Sequence, residues 1–119
     1  MNKRSIGSIY EQKAAVYLES RGVKILERNF RCRTGEVDLI AKDGKYLVFI
    51  EVKYRLDRGS GSAAEAVSHK KQRVISRVAD YYLVSHCKKE DTPCRFDVVT
   101  FDGEKACWYQ DAFAYCPKY

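Results

Sequence analysis

The N-terminal segment has the apolar spacing of an amphipathic helix. Apolar and aromatic residues recur there every three or four positions, at Ile6, Tyr10, Ala14, Tyr17 and Leu18. Gly22 follows this segment, and glycine is typical of the position just after a helix ends. The pattern therefore predicts a helix from Ser5 to about Arg21.

Three strands are predicted after this helix. Val23 to Arg31 is a moderately apolar run that predicts the first strand. The segments GEVDLIA (35–41) and Tyr46 to Tyr54 are rich in aliphatic and aromatic residues and predict two further strands. Asp43-Gly44 lies between them and is a typical hairpin turn. The pattern predicts an antiparallel hairpin at the centre of the chain.

The second half predicts one helix and two strands. A Gly/Ser loop at 59–62 is followed by apolar residues at helical spacing, which predict a helix from Ala63 to about His86. Two more strands are predicted after Pro93, over 95–101 and 106–113. The predicted order is α-β-β-β-α-β-β. This order indicates an α/β domain with a mixed sheet of about five strands flanked by helices.

Composition limits the class of protein. The 119 residues, 45% hydrophobic and 32% charged, are typical of one soluble globular domain that spans 1–119. No stretch approaches the roughly 20 apolar residues of a membrane-spanning helix, and no signal-peptide core follows the basic N-terminus. Five cysteines include no CxxC pair, which favours reduced thiols in a cytoplasmic protein over a zinc or disulfide framework.

The positive charge is unevenly distributed. Lys and Arg total 22 against 16 Asp and Glu, a net charge of +6. Two segments, 1–35 and 61–90, carry the basic surplus, and the segment between them is neutral and rich in carboxylates. Basic segments suit a nucleic-acid partner, because Lys and Arg that neutralise phosphates release condensed counterions. They also suit simple solubility, so the charge alone leaves both interpretations open.

The predicted hairpin gathers acidic residues on one of its faces. A two-residue turn at Asp43-Gly44 would pair Lys42 with Lys45 and make Asp38 and Glu51 diagonal neighbours, about 7–8 Å apart. Because side chains alternate along a strand, one face is predicted to be entirely apolar core. That face carries Val37, Leu39, Ala41, Val48, Ile50 and Val52. The opposite face carries Glu36, Asp38, Ile40, Leu47, Phe49, Glu51 and Lys53.

The chemistry of this second face suits a magnesium ion. Like charges on adjacent strands repel each other, and a divalent cation would relieve that repulsion. Mg²⁺ prefers carboxylate oxygens together with open water positions that it shares with substrate phosphates. Lys53 would lie beside the ion and could orient an attacking water or neutralise charge on a phosphate. The alternative is a surface patch in which Lys53 pairs with Glu36 or Glu51.

Short motifs along nearly the whole chain resemble a known family. They are Gly7 with Glu11, Arg28-Asn29, GEVDLIA (35–41), VFIEVKYR (48–55), Lys71 and RFDVV (95–99). Asp38 followed by Glu51-Val52-Lys53 resembles the PD-(D/E)XK motif of the restriction-endonuclease-like fold, although a valine replaces the proline before Asp38. The wider pattern resembles the YraN family of bacterial proteins, which is related to Holliday junction resolvases.

The resemblance implies an activity and a role for individual residues. It implies a nuclease that depends on Mg²⁺ or Mn²⁺ and hydrolyses phosphodiester bonds in DNA, with branched DNA and a homodimer as further hypotheses. Asp38 and Glu51 would bind the metal, and the Val52 carbonyl would add a ligand. Lys53 would position or activate water. Glu11 would be an auxiliary metal ligand from the first helix; its alternative is a helix-edge carboxylate that reaches solvent.

Basic residues of the second predicted helix are candidate nucleic-acid contacts. Lys71 falls on an apolar stripe and would point inward, either to contact a phosphate beside the metal or to cover apolar surface with its stem. Lys70 and Arg73 would form an exposed basic face against a nucleic-acid backbone. Asp97 in RFDVV would either support the site or stabilise a turn or strand edge.

Two other functions remain open at this point. Relatives of such nucleases can lose catalysis and keep binding, which would make the chain a non-catalytic nucleic-acid-binding module on the same scaffold. A structural protein without a nucleic-acid partner would instead use its basic segments against acidic protein surfaces.

Overall fold

Two helices and five strands follow one another in the predicted order within the described residues. The computed structural model describes residues 3–55, 66–87 and 91–118. The helices are α1 (Lys3–Glu19) and α2 (His69–His86). The strands are β1 (Lys24–Cys32), β2 (Gly35–Asp43), β3 (Tyr46–Arg55), β4 (Cys94–Asp102) and β5 (Lys105–Tyr109). Neither of these helices is both long and apolar enough to cross a membrane.

The five strands form one mixed sheet in the order β1-β2-β3-β4-β5. Neighbouring strands are antiparallel except for β3 and β4, which are parallel. Parallel neighbours need a long crossover connection, and α2 lies in the connection between β3 and β4. The predicted α/β fold with a mixed five-strand sheet is therefore confirmed.

The helices cover the sheet with two separate hydrophobic clusters. Ala14, Ala15 and Leu18 of α1 are fully buried in one cluster with residues of β2, β3 and β4. Ile75 and Val78 of α2 are buried in the other cluster. Each helix thus buries a stripe of residues at helical spacing, as expected for an amphipathic helix against a sheet.

Both faces of the β2–β3 hairpin are core, whereas the sequence predicted only one apolar face. Ile40 and Phe49 are fully buried in the α2 cluster, and Leu39 and Ala41 are fully buried in the α1 cluster. Val37 packs with the α2 cluster and not, as predicted, beside Leu39. The strict alternation of faces breaks between these two residues, where the pairing of β2 with β3 ends.

The hairpin turn lies one residue later than predicted. Asp43 pairs with Tyr46, so the two turn residues are Gly44 and Lys45. Gly44 has a φ of 60°. A glycine with positive φ at the first central position is the arrangement of a type II′ turn, which matches the twist of the flanking strands. The predicted pairing of Lys42 with Lys45 is therefore wrong by two residues, although Ile40 and Phe49 still share one face and Leu39 and Ala41 share the other.

Two other element boundaries differ from the prediction by more than two residues. Helix α2 begins at His69, because Ser68 has extended backbone angles and its side chain accepts a hydrogen bond from the Lys71 N–H at 3.1 Å. The predicted start of this helix at Ala63 lies outside the described residues. Strand β5 ends at Tyr109 instead of Phe113. The N–H of Asp111, whose φ is 54°, donates to Asp97 at 2.9 Å and turns the chain away from the sheet. The predicted Gly/Ser loop at 59–62 lies outside the described residues.

Gly35 allows α2 to approach the start of β2 closely. Its φ is 148°, and a Cβ atom at this position would lie 2.3 Å from Cγ1 of Val74. Such a distance is too short for a real contact, so the Val74 side chain or the backbone that carries it would have to shift with a larger residue.

Candidate active site

The candidate site lies where β2 and β3 separate. Leu39 and Ile50 form the last pair of the ladder, and Asp38 and Glu51 are the next residues along the two strands. Their carboxylates bond to the backbone of the opposite strand. Asp38 Oδ2 accepts from the Val52 N–H at 2.8 Å, and Glu51 Oε1 accepts from the Asp38 N–H at 3.3 Å. The two acids are thus direct partners and not the predicted diagonal neighbours.

Burial makes negative charge on these two acids unfavourable. Glu51 is only 3% exposed. Burial and, second, the nearby charge of Asp38 raise the pKa of Glu51 to about 8, against the opposing effect of Lys71 and Lys53. The pKa of Asp38 is also raised, again mainly by burial, although the hydrogen bond from Val52 lowers it. A positive charge close to the pair would therefore stabilise its two carboxylates.

A cleft with a volume of about 520 Å³ opens beside this pair and brings most of the predicted site residues together. Its wall is contributed by α1, by the ends of β2 and β3, and by the start of α2. The lining residues are Gly7, Tyr10, Glu11, Asp38, Glu51, Val52, Lys53, Tyr54, Ala66, Ser68 and Lys71. Residues from three different parts of the chain therefore meet at one position.

Glu11 lies on α1 with its carboxylate near Asp38. Burial raises the pKa of Glu11, and the charge of Asp38 raises it further. A hydrogen bond from the side chain of Asn29 acts in the opposite direction and lowers this pKa. Glu11 is therefore part of the acidic group and is not the solvent-facing carboxylate of the alternative interpretation.

Two lysines bring positive charge to the same cleft. Lys71 reaches across from α2 and donates from Nζ to the backbone carbonyl of Glu36 at 3.3 Å. Lys53 lies on β3 and is half-buried. Among the described residues Lys53 forms no ion pair, and Glu36 instead pairs with Arg31 at 2.9 Å. The surface patch of paired charges, which was the alternative for this face, does not describe the structure.

Lys70 and Arg73 are not brought into the cleft. Both are exposed on the outer surface of α2. Arg73 Nη1 lies 2.6 Å from Nδ1 of His69, one helical turn earlier. Their predicted contact with a nucleic-acid backbone stays a prediction.

Asp97 stabilises the fold and does not line the cleft. It is fully buried and accepts two hydrogen bonds from Arg95, both at 2.9 Å. It also accepts from the indole N–H of Trp108 at 2.8 Å and from the Asp111 N–H at 2.9 Å. This network fixes β5 and the following turn against β4, which agrees with the second of the two predicted roles.

The donor groups at the strand ends fit a magnesium ion better than a transition metal. Within residues 3–55, 66–87 and 91–118, no three His, Cys, Asp or Glu side chains are placed to hold an ion together. A Mg²⁺ ion is often held by only one or two carboxylates and completes its shell with waters and substrate phosphates. Asp38 and Glu51, buried and facing a cleft that admits water, have this chemistry.

Sequence reasoning assigned no role to three residues of this region. Tyr10 and Tyr54 line the cleft and stack with ring centroids 4.7 Å apart and an interplanar angle of 8°. Asn29 contacts Glu11 from β1. The tyrosines follow an ordinary packing pattern, and the position of Asn29 depends on strand register, so neither gives a local signal in the sequence.

The chain is similar to known proteins of one family. The model of the uncharacterised protein family UPF0102 matches residues 10–101, which include every acidic and basic residue of the cleft. A UPF0102 protein of Lachnoclostridium phytofermentans is 47% identical over 113 residues, 95% of this chain and 96% of the relative. A UPF0102 protein of Alkalilimnicola ehrlichii is 45% identical over 107 residues, which are 90% of this chain and 85% of the relative. A UPF0102 protein of Aeromonas hydrophila is 44% identical over 110 residues, which are 92% of this chain and 85% of the relative.

Proposed function

The chain belongs to the uncharacterised protein family UPF0102, and we propose that it is a metal-dependent nuclease that hydrolyses phosphodiester bonds in DNA. The observation that carries the proposal is the half-buried Asp38 beside the buried Glu51, opposed where the pairing of β2 with β3 ends, beside an open cleft. Paired acids with perturbed pKa values in a cleft are typical of functional sites. A divalent cation would stabilise the charged form of both acids, which supports such an ion as cofactor.

The order of elements supports a restriction-endonuclease-like scaffold for this chemistry. Asp38 lies on β2 and the segment Glu51-Val52-Lys53 lies on the neighbouring strand β3, as the resemblance to the PD-(D/E)XK motif requires. A fold alone does not imply a function. The proposal therefore depends on the side chains of the cleft, and the relation to Holliday junction resolvases adds branched DNA as the preferred substrate.

Each residue of the cleft has a distinct part in the proposed hydrolysis. Asp38 and Glu51 would hold Mg²⁺ or Mn²⁺ with their carboxylate oxygens, and the Val52 carbonyl would add a ligand. A bound ion of this kind would stabilise charge on the phosphate and lower the pKa of a coordinated water. Lys53 would orient the water that attacks phosphorus; the bond from phosphorus to the leaving oxygen breaks, the water gives up a proton to solvent, and the leaving oxygen takes up a proton from solvent.

Lys71 is proposed to bind the substrate. Lys71 lines the cleft, and among the described residues its ammonium group donates to the Glu36 carbonyl. A phosphate would be a stronger acceptor, because a hydrogen bond between two charged groups is stronger than one to a neutral carbonyl. Lys70 and Arg73 lie on the same helix outside the cleft and would contact the phosphates that flank the cleavage point.

The direct test is cleavage of a small panel of labelled substrates. Purified protein is incubated with a four-way junction, a flap, a duplex and single strands, in Mg²⁺ or Mn²⁺ and in EDTA. We expect metal-dependent cleavage of at least one DNA, lost in E51A. The matched control is E104A, because Glu104 is 87% exposed and far from the cleft. Cleavage at the wild-type rate by E51A would refute the assignment of the site.

The same experiment separates the main alternative. Retained DNA binding without any metal-dependent cleavage would favour a non-catalytic binding module on the same scaffold. In that case K53A should bind as well as the wild type, because Lys53 would have no water to orient.

A further inference from the structure

Tyr10 and Tyr54 form a tyrosine wall on one side of the candidate site. Their ring centroids are 4.7 Å apart, and the ring planes differ by only 8°. The Tyr10 ring also contacts the buried Phe101 of β4, with 5.3 Å between the ring centroids. Both tyrosines are half-buried against the α1 cluster, and both line the same cleft as Asp38 and Glu51. The core therefore holds the tyrosine wall in place while part of it stays accessible from the cleft.

Positive charge enters the cleft from the other face of the sheet. Tyr54 packs with the cluster that α1 covers, whereas Phe49 of the same strand packs with the α2 cluster. Because side chains alternate along a strand, Lys53 lies on the same face as Phe49. Lys71 comes from α2, which covers that face. The cleft thus has an aromatic side toward α1 and a cationic side toward α2.

This polarity matches the two parts of a nucleotide. A base has an aromatic face that stacks on tyrosine, and the phosphate carries a negative charge for Lys53 and Lys71. Stacking is tolerant of sequence, because every base has such a face. The cleft volume of about 520 Å³ lies within the range of about 300–1,000 Å³ that is typical of pockets for small ligands. One nucleotide can therefore occupy the cleft beside the acidic pair.

A paired nucleotide could not use the tyrosine wall. In a duplex each base is stacked between its neighbours inside the double helix, so a protein at the backbone meets phosphate and sugar. To bring a paired base into a protein pocket, the duplex must be unstacked and unpaired locally. That cost is smallest for a base that is already unpaired. An aromatic surface beside the acidic pair therefore favours a substrate with an unpaired nucleotide at this position.

We propose that the tyrosine wall binds the base of an unpaired nucleotide next to the phosphodiester bond at Asp38 and Glu51. This inference deepens the proposed function and rests on it for the position of that bond. It names the substrate class as DNA with an unpaired nucleotide at the cleavage point, such as a flap or a single strand. A duplex and a fully paired four-way junction would offer the cleft only their phosphates and sugars.

Binding in EDTA separates this contact from catalysis. Labelled single strands and duplexes of equal length are titrated with metal-free protein, and fluorescence anisotropy gives the dissociation constants. Y54L should raise the dissociation constant of the single strand about 5-fold or more, as for the loss of one base–aromatic stack, and leave that of the duplex unchanged. Y54F keeps the ring and should bind like the wild type. Y17L is the matched control, because Tyr17 is half-buried against the same cluster but does not line the cleft.

An abasic substrate tests the same contact without a change in the protein. A flap whose single strand carries one abasic nucleotide, at successive positions from the branch, keeps every phosphate. At one position it should bind the wild type about 5-fold or more weakly than the intact flap does. In Y54L the same abasic nucleotide should cause little further loss, because two changes that remove one contact are not additive.

The outcomes distinguish this inference from the nuclease proposal. Equal affinity of Y54L and the wild type for the single strand, or abasic flaps that all bind like the intact flap, would overturn the role of the tyrosine wall. Metal-dependent cleavage that is lost in E51A would still support the nuclease. Binding of single strands that depends on Tyr54, without cleavage in Mg²⁺ or Mn²⁺, would support the tyrosine wall and overturn the nuclease. A protein that neither binds nor cleaves DNA would overturn both.

Discussion

Replacing Glu51 with glutamine should stabilise the metal-free protein while it abolishes the proposed activity. Glutamine keeps the shape of the side chain and an oxygen that can accept from the Asp38 N–H, as Glu51 does at 3.3 Å. It removes the negative charge that burial disfavours. A residue that the fold tolerates only at a cost is more readily explained by function than by stability.

The size of the effect follows from the raised pKa of Glu51. The pKa is about 8 in the folded protein against an ordinary value of 4.5. The folded state therefore binds more protons between these values, and its stability falls as the pH rises from about 4.5 to about 8. One pKa unit corresponds to about 1.4 kcal/mol. At pH 7 the raised pKa of Glu51 lowers the free energy of unfolding by about 3 kcal/mol, and near pH 4.5 this loss disappears.

Urea denaturation in EDTA at several pH values between 4.5 and 7.5 measures this difference. E51Q should exceed the wild type by up to about 3 kcal/mol at pH 7, which corresponds to roughly 10 °C in melting temperature. The two proteins should become equal toward pH 4.5. E104Q is the matched control. The carboxylate of Glu104 is 87% exposed, and its surface ion pair contributes less than about 1 kcal/mol.

Two outcomes would refute this reasoning. One is an E51Q protein no more stable than the wild type at pH 7 in EDTA, which would mean that folding does not raise the pKa of Glu51. The other is a gain in stability that stays constant down to pH 4.5, because a gain of that kind would come from packing and not from charge.

Two further predictions concern metal binding and the packing of α2. The pKa of Glu51 is about 8, and a metal ion needs the carboxylate form. The apparent Mg²⁺ affinity should therefore rise up to about 10-fold per pH unit below pH 8 and level off above it. A calorimetric titration in which the Mg²⁺ affinity stays constant from pH 6 to 8 would contradict this. In urea denaturation, G35A should lower the free energy of unfolding by about 2–4 kcal/mol, because its Cβ would lie 2.3 Å from Val74. G103A should lower it by about 1 kcal/mol, because Gly103 has a φ of 61° but open space around it. Equal losses in the two variants would show that the contact with Val74 has no effect.

The order of elements and the acidic pair could be predicted because both depend on local patterns. Alternating and helical spacings specify each element, and the same-face relation of Asp38 and Glu51 survives a register shift of two residues. The exact pairing was not predictable, because an Asp-Gly signal fits a turn centred on either side of the glycine. The start of α2 was missed since the apolar stripe continues at Val67, before the Ser68 cap.

The rest of the site depends on tertiary structure. Asn29 lies near Glu11 only because β1 pairs with β2 and α1 packs across both, and no local pattern encodes that meeting. The raised pKa of Glu51 likewise requires the burial that the complete sheet and both helices provide. Sequence reasoning could name the candidate residues but not their environment.

The close approach at Gly35 also bears on how this protein would tolerate mutation. Val74 lies one helical turn after Lys71, so the contact that seats α2 on the strand also sets how far Lys71 reaches over the cleft. Even alanine, the mildest replacement, would lift that turn of the helix. In a saturation mutagenesis scored by activity, position 35 should therefore be as intolerant as the acidic positions, although its residue has no side chain to offer a substrate.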